Sequence, residues 1–166
     1  PLDGVGCRAP RVGQPRVMRM IRDATPDDIP RMVELGRLMH AESPNFRAMR
    51  FDADKLAAAV RYAIDSPAGF AGVAERDGQV IGGLVAMAVP HYFSPDSVAC
   101  DLALFVAPEH RGGMAAARLV AAYRDWGKAL GAVKVQMGVM AGVEAWMVEA
   151  LCERLGARRV GVVMEF

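Results

Sequence analysis

The chain has 166 residues, a formal net charge of +1 and a 53% hydrophobic composition. That length suits one domain with one core, able to bury about two thirds of the surface its unfolded form exposes without metals or disulfides. No apolar run approaches the roughly 20 residues of a membrane span, and Cys7, Cys100 and Cys152 are too scattered, with no CxxC and no histidine at ligand spacing, for a disulfide framework or a metal site. Such cysteine usage fits a reducing cytoplasm.

Residues 1–19 carry Arg8, Arg11, Arg16 and Arg19 against Asp3, a local +3 that leaves −2 for residues 20–166. A body so balanced lacks the basic footprint of a nucleic-acid binder. The segment is rich in Pro, Gly and Arg and has neither an apolar h-region nor any periodicity, so it reads as a disordered or non-native extension. The folded domain is assigned to 20–166, with Met18 or Met20 as a natural start.

Met20-Ile21-Arg22 opens the domain as a strand. Thr25-Pro26-Asp27-Asp28 then supplies an N-cap, a proline at the first helical position and an acid at N3, followed at helical spacing by Ile29, Met32, Val33, Gly36 and Met39. A second helix is predicted from Asp52 to Asp65 on the stripe Leu56, Ala59, Val60, Ala63 and Ile64, and Ser66-Pro67 stops it. Phe70 to Arg76 and Gln79 to Val89 flank Asp77-Gly78, whose positive-φ tolerance suits a two-residue hairpin turn. After a loop from Pro90 to Asp96, Val98, Cys100, Leu102, Leu104 and Val106 alternate with Ala99, Asp101, Ala103 and Phe105 as a strand with one strongly apolar face, ending at Pro108.

A long helix is predicted from Arg111 to Leu130, its face carried by Ala115, Leu119, Ala122, Tyr123 and Trp126 and its end marked by Gly131. Val133, Val135 and Met137 alternate as a further strand. From Val143, the set Trp146, Met147, Ala150, Leu151 and Leu155 makes another helix closed by Gly156, and Arg159 to Phe166 reads as a last strand. The order β-α-α-β-β-β-α-β-α-β, without internal repeat, describes an α/β (α+β) fold with one mixed sheet flanked by helices.

The chemistry concentrates in Leu104-Phe105-Val106-Ala107-Pro108-Glu109-His110-Arg111-Gly112-Gly113-Met114-Ala115-Ala116, where a strand ends and small residues open a helix. Small residues let the backbone approach a ligand, and the unpaired first N–H groups of a helix sit at the positive end of its dipole, so a pyrophosphate can accept several hydrogen bonds there. Arg111 adds a charged donor. The competing reading is a glycine-softened turn with a solvated arginine.

Val106-Ala107-Pro108-Glu109-His110-Arg111-Gly112 resembles the Val-x-Pro-Glu-x-Arg-Gly stretch of the GNAT acetyltransferases, which leads into an Arg/Gln-x-x-Gly-x-Gly/Ala pyrophosphate loop after the fourth strand. Met114 stands where that family prefers Gly, while Ala116 satisfies the last small position. The resemblance covers Met20 to Phe166 and agrees with the element order above. It implies an N-acetyltransferase using acetyl-CoA, whose pantetheine lies between the splayed fourth and fifth strands against Leu104, Phe105 and Val106. The pyrophosphate would rest on Arg111, Gly112, Gly113, Met114, Ala115 and Ala116. A homodimer is a further implication.

Late in its penultimate helix the family carries a Tyr-x-x-Leu-Gly-Phe stretch whose Tyr is the general acid for the departing thiolate. Here Cys152-Glu153-Arg154-Leu155-Gly156-Ala157 fills that frame, so Cys152 replaces the Tyr and Ala157 the Phe. A thiol has a pKa suited to protonating a thiolate; a core cysteine is the alternative. Asp101, the acid in the middle of the fourth strand, is the candidate base, and its alternation sets it on the face opposite Leu104. A solvent-facing or helix-facing aspartate is the plain alternative, and Asp96 and Glu144 are further candidate bases.

His40 and His110 acquire no role, while His91, Tyr92 and Phe93 border the acceptor pocket by analogy with the family's loop between third and fourth strands. No Ser-His-Asp order, metal cluster or P-loop lysine supports a hydrolase or kinase. The expected reaction is direct attack by a primary amine on acetyl-CoA in a ternary complex, the acceptor a small molecule or peptide, with no nucleic acid or membrane partner. A catalytically weak acyl-CoA-binding or interaction module is the alternative.

Overall fold

The computed structural model of the chain describes residues 20–165; the proposed extension 1–19, Cys7 and Phe166 lie outside them. Five strands form one sheet in the order β1-β2-β3-β4-β5. They are β1 (Ile21–Asp23), β2 (Gly69–Arg76), β3 (Gln79–Pro90), β4 (Ser97–Val106) and β5 (Lys134–Gln136), antiparallel through β4 and parallel from β4 to β5. Helices α1 (Ile29–Glu42) and α2 (Ala53–Asp65) cover one face, α3 (Ala115–Ala129) and α4 (Ala145–Arg154) the other.

Local chemistry explains most of these boundaries. The Asp28 carboxylate accepts from the Thr25 N–H at 2.7 Å and from its hydroxyl at 3.0 Å, closing the turn that precedes α1. The Arg22 guanidinium, at 2.7 Å, holds that carboxyl below its usual range. Asp52 caps α2 by accepting from the Lys55 N–H. Asp77 and Gly78 both take positive φ, 51° and 78°, as the predicted hairpin turn requires.

The alternating strands sort their side chains into two cores. Met32, Leu35, Val60, Val73 and Phe105 pack under α1 and α2, while Phe70, Leu84, Leu119, Tyr123 and Leu151 pack under α3 and α4. Each fully buried aliphatic side chain contributes about 1.5–3 kcal/mol, so both layers hold the sheet in place.

Three expectations need correction. Helix α3 begins at Ala115 rather than Arg111, because a short 3-10 turn at Pro108–His110 and a left-handed Gly112 intervene. Trp146, in the apolar set expected to make α4, is 73% exposed; Leu151 is the buried residue of that helix, with Cys152 packed beside it. The last strand is absent among the described residues: 157–165 form no ladder, and Val160, Val162, Val163 and Met164 are exposed. Their β-branched pattern supplies strand propensity, but a strand also needs a neighbour to satisfy its backbone.

Candidate active site

The strand-to-helix turn after β4 is shaped by its backbone. Ala107 donates to the Ile81 carbonyl at 2.8 Å, which anchors the turn to β3, and His110 and Arg111 donate back to Ala107 and Pro108. Gly112 then takes φ 74°, a conformation costing a side chain-bearing residue about 1–2 kcal/mol. Among the described residues, no hydrogen bond is donated by the backbone N–H groups of residues 112–116. The first turn of α3 therefore presents free donors and the positive end of its dipole to solvent, an arrangement that receives a phosphate anion.

A shallow hollow of about 160 Å³ lies over this turn, lined in part by Ile81, His110, Arg111, Gly113, Met114 and Ala115. A larger hollow of about 480 Å³, lined by Ile21, Arg22, Asp23, Phe70 and Ala122, shares no residue with it. Arg22 there is already committed to Asp28 and Glu75, so the smaller hollow is the one with donors to offer. Met114, which departs from the family's glycine, has φ −85° and an exposed side chain, so no glycine conformation is needed at that position.

Arg111 is less free than its sequence position suggests. Its Nη1 pairs with Glu42 at the end of α1 at 2.7 Å, and its Nε donates to the Val106 carbonyl at 3.2 Å. Glu42 is a residue the sequence did not single out, since nothing local to either residue announces a contact between α1 and this turn. Of the strand residues, Leu104 and Val106 pack toward α3, whereas the Phe105 side chain is buried under α1 beside Gly83. Only the Phe105 backbone remains available to a ligand on the α3 side.

The second part of the site forms where β4 and β5 separate. Their parallel pairing runs through Val98↔Lys134, Ala99↔Val135 and Cys100↔Gln136 and then stops. On the β3 side, Val85 pairs with Ala103 and Ala86 with Asp101, leaving Leu102 as a bulge. The bulge shifts the alternation by one residue. Asp101 consequently faces α3 and α4, on the same side as Leu104, which corrects the expectation that it lies opposite; Leu102 is turned out and 57% exposed.

Side chains replace the ladder at this parting. Asp101 Oδ1 accepts from the Gly138 N–H at 2.7 Å, and the buried Tyr123 hydroxyl donates to the Gln136 carbonyl at 2.7 Å. Cys152 Sγ lies 3.9 Å from Met137 Sδ. Burial raises the Asp101 carboxyl above its ordinary range, opposed in part by the Gly138 N–H. Burial, with the Asp101 charge second, raises the Cys152 thiol, and the same two causes raise the Tyr123 phenol. Sequence reasoning treated Tyr123 only as helix stripe; a phenol among aliphatics was the available signal that a polar partner waits in the core.

Other candidates fall elsewhere. His91, Tyr92 and Phe93 cluster with ring centroids 4.1–4.6 Å apart on the loop between β3 and β4, with Tyr92 and Phe93 exposed. His40 packs on Phe51. Asp96 accepts from the Ser94 hydroxyl, and Glu144 takes a left-handed φ of 48° at the start of α4.

A mixed sheet whose fourth and fifth strands part beside a backbone anion nest defines an α/β protein built to hold a phosphate-bearing cosubstrate. The acetyltransferase (GNAT) family model matches residues 34–158, and the chain belongs to that family of enzymes, whose acyl donor is acetyl-CoA. Comparison with curated proteins returned no match. Similar solved structures include aminoglycoside N-acetyltransferase AAC(6')-Iy with the bisubstrate analogue CoA-S-monomethyl-acetylneamine, at 19% identity and TM-score 0.69 over 88% of this chain and 95% of that one. An aminoglycoside acetyltransferase from an uncultured soil metagenomic sample, in complex with sisomicin, is 20% identical with TM-score 0.64, covering 88% and 93%. Aminoglycoside 6'-N-acetyltransferase AAC(6')-IG from Acinetobacter haemolyticus is 17% identical with TM-score 0.66, covering 88% and 95%. At these identities the likeness is one of fold.

Proposed function

We propose that the chain acetylates a primary amine of a small polycationic molecule, of the aminoglycoside type, by direct attack on acetyl-CoA in a ternary complex. The observation that carries this reading is the meeting of Asp101, Tyr123 and Cys152 at the parted strands, on the strand that leads into the nest. The similar structures named above are aminoglycoside acetyltransferases, which supports the acceptor class.

Acetyl-CoA supplies the acyl group as an activated thioester. Residues 112–116 would bind its pyrophosphate through backbone N–H groups, with Arg111 nearby. The strand edge at Leu104 to Val106 would receive the pantetheine amides. The ionised Asp101 carboxylate takes a proton from the incoming ammonium, the amine nitrogen bonds to the acetyl carbon, and the carbon–sulfur bond breaks as the nitrogen loses its second proton to solvent and the amide forms. The Cys152 thiol gives its proton to the leaving sulfur and is reprotonated from solvent, while Asp101 returns its proton to solvent. Burial suits both roles: it brings a carboxylate closer to neutrality as a base and keeps a thiol protonated as an acid.

Cys100 and Cys152 are both free thiols, which accords with a reducing, cytoplasmic setting. Among the described residues, no helix is long and apolar enough to cross a membrane.

The test is thiol release from acetyl-CoA by the purified chain against a panel of aminoglycosides, simple diamines and peptide amines. Turnover on the aminoglycosides and not on peptides supports the reading. Turnover on peptides alone overturns the acceptor class, and saturable CoA binding without turnover on any amine favours a catalytically weak binding module.

A further inference from the structure

Two polar residues are buried among the described residues, Asp28 and Ser43. Asp28 closes the turn before α1. Ser43 has no exposed surface and needs a reason of its own, because burying a hydroxyl is unfavourable unless its hydrogen bonds are made. We propose that Ser43 is a positioning residue for acetyl transfer, holding the loop after β5 so that the Gly138 N–H stays on Asp101; this deepens the acetyl-transfer reading and rests on it.

The Ser43 hydroxyl donates to the Ala141 carbonyl and accepts from the Phe46 N–H at 3.0 Å. Two residues on, the Asn45 side-chain amide donates to the Met140 carbonyl at 2.7 Å. Packing tightens the grip: Gly142 takes φ 72°, and a Cβ there would come within 2.7 Å of Pro44 Cγ. The loop after α1 is thereby closed onto the loop after β5.

That second loop has little else to hold it. Among the described residues, every hydrogen bond made by the backbone of residues 138–143 runs to a side chain: Gly138 to Asp101, Met140 to Asn45 and Ala141 to Ser43. β5 itself is three residues long, with β4 as its neighbour in the sheet. Without Ser43 and Asn45, Asp101 would be left to fix the very segment that fixes Asp101. On the other flank Glu42, the residue before Ser43, pairs with Arg111 at 2.7 Å. Consecutive residues at the end of α1 thus hold both sides of the parting, the turn after β4 and the loop after β5.

The chemical consequence falls on the base. The Gly138 N–H favours the charged form of the Asp101 carboxyl and opposes the effect of burial. Around that carboxyl stand Cys100 on its own strand, Tyr123 on α3 and Cys152 on α4, all with raised pKa and none a source of positive charge. On β5, Val135 packs under α3 and Lys134 alternates to the other face. A loosened loop therefore leaves burial unopposed by its main donor, and the carboxyl holds its proton to higher pH.

The experiment compares the full chain with Ser43→Ala and with Asn45→Ala, an exposed position that serves if the buried change prevents folding. Val60→Ala, a fully buried change on α2, is the structural control. Asp101 is titrated by 13C NMR, Gly138 amide exchange is followed by 15N NMR, and kcat on the preferred amine is measured across pH. In Ser43→Ala, Asp101 should titrate at higher pH and Gly138 should exchange faster. Its kcat at neutral pH should fall about ten- to a hundredfold and recover as pH rises, with CoA affinity unchanged. Asn45→Ala should move the same quantities by less, and Val60→Ala should leave the Asp101 titration in place. A folded Ser43→Ala whose Asp101 titrates as in the parent, or whose kcat falls equally at every pH, overturns the proposal. So does an Asn45→Ala identical to the parent where Ser43→Ala cannot fold, or a Val60→Ala that shifts Asp101 as far. Absence of turnover in the parent chain would sink the acetyl-transfer reading itself, while titration and exchange would still test the hold on Asp101.

Discussion

The two halves of the proposed active site are made of different material. The nest at residues 112–116 is built from backbone, needing one left-handed glycine and a helix start with free N–H groups. The parted end of β4 and β5 is built around side chains on three elements, Asp101 of β4, Tyr123 of α3 and Cys152 of α4, the first two bonded to the Gly138 N–H just beyond β5 and the Gln136 carbonyl at its end. A backbone site tolerates changes of residue such as Met114, whereas a side-chain site depends on the identity and register of each contributor.

The sharpest test of the backbone half is Ala116→Glu. A carboxylate on the first turn of α3 favours the helix by about 0.3–1 kcal/mol, so folding should survive, while a like charge beside pyrophosphate costs several kcal/mol. The dissociation constant for CoA should rise at least about 100-fold. Arg111→Ala should raise it about tenfold or less, because Glu42 already neutralises part of that charge. Titration calorimetry on both variants decides the comparison: normal binding by Ala116→Glu would move the pyrophosphate elsewhere.

For the side-chain half, the largest effect is expected at Asp101. Asp101→Asn should lower kcat about 100-fold or more, within the usual contribution of a general base, and should leave CoA affinity intact. In the unaltered enzyme the rate should rise with pH through an acid limb lying above the ordinary carboxylate range, since burial raises that pKa and the base acts ionised; the limb should vanish in the variant. Stability runs the other way. A carboxyl raised by folding contributes fully below its unfolded pKa and loses that contribution as pH rises through its folded value, so the Asn variant, still able to accept from Gly138, should match or exceed the parent in melting temperature at pH 7. If Asp101→Asn keeps its kcat while Asp101→Ala loses it, the carboxylate is a strut for β5 and not a base.

The same division decides what could be read in advance. The hairpin at Asp77-Gly78 was legible because it is specified by adjacent residues with particular φ requirements. The face of Asp101 was not: apolar alternation runs unbroken from Val98 to Val106, and only pairing with β3 reveals that Leu102 has no partner. The Arg111–Glu42 ion pair joins residues far apart in the chain, so no spacing encodes it. The segment 159–165 shows propensity without a partner, and partnering is a property of neighbours.

Tyr123→Phe tests whether the parting of the strands depends on its polar struts. The ring would keep its packing against Phe70 and Trp126, but the Gln136 carbonyl would lose its hydroxyl donor, at a cost of about 1–3 kcal/mol if no water replaces it. Denaturant unfolding measures that loss. The Michaelis constant for acetyl-CoA should rise a few-fold if the strut shapes the slot, and a variant as stable and as tight-binding as the parent would show that packing alone holds β5.

On turnover, a smaller effect than at Asp101 is expected at Cys152, where Cys152→Ala should slow it about ten- to a hundredfold, at or below the low end of general acid catalysis. A thioester is already activated and its leaving thiolate is stable, so much of the acceleration comes from holding amine and carbonyl together, for which effective molarities reach about 10⁵ M or more. The thiol is half-buried against Met137 and carries a raised pKa, so it remains a proton donor across neutral pH, and the basic limb of the kcat profile should move when it is removed. CoA affinity should barely change, because the nest is backbone on another element. Full kcat in Cys152→Ala at every pH would reduce Cys152 to core packing and leave the departing sulfur to be protonated by water. A gain above the parent in Cys152→Tyr would show that the frame around this position is built for a longer acid and that the cysteine is a weaker occupant of the same place.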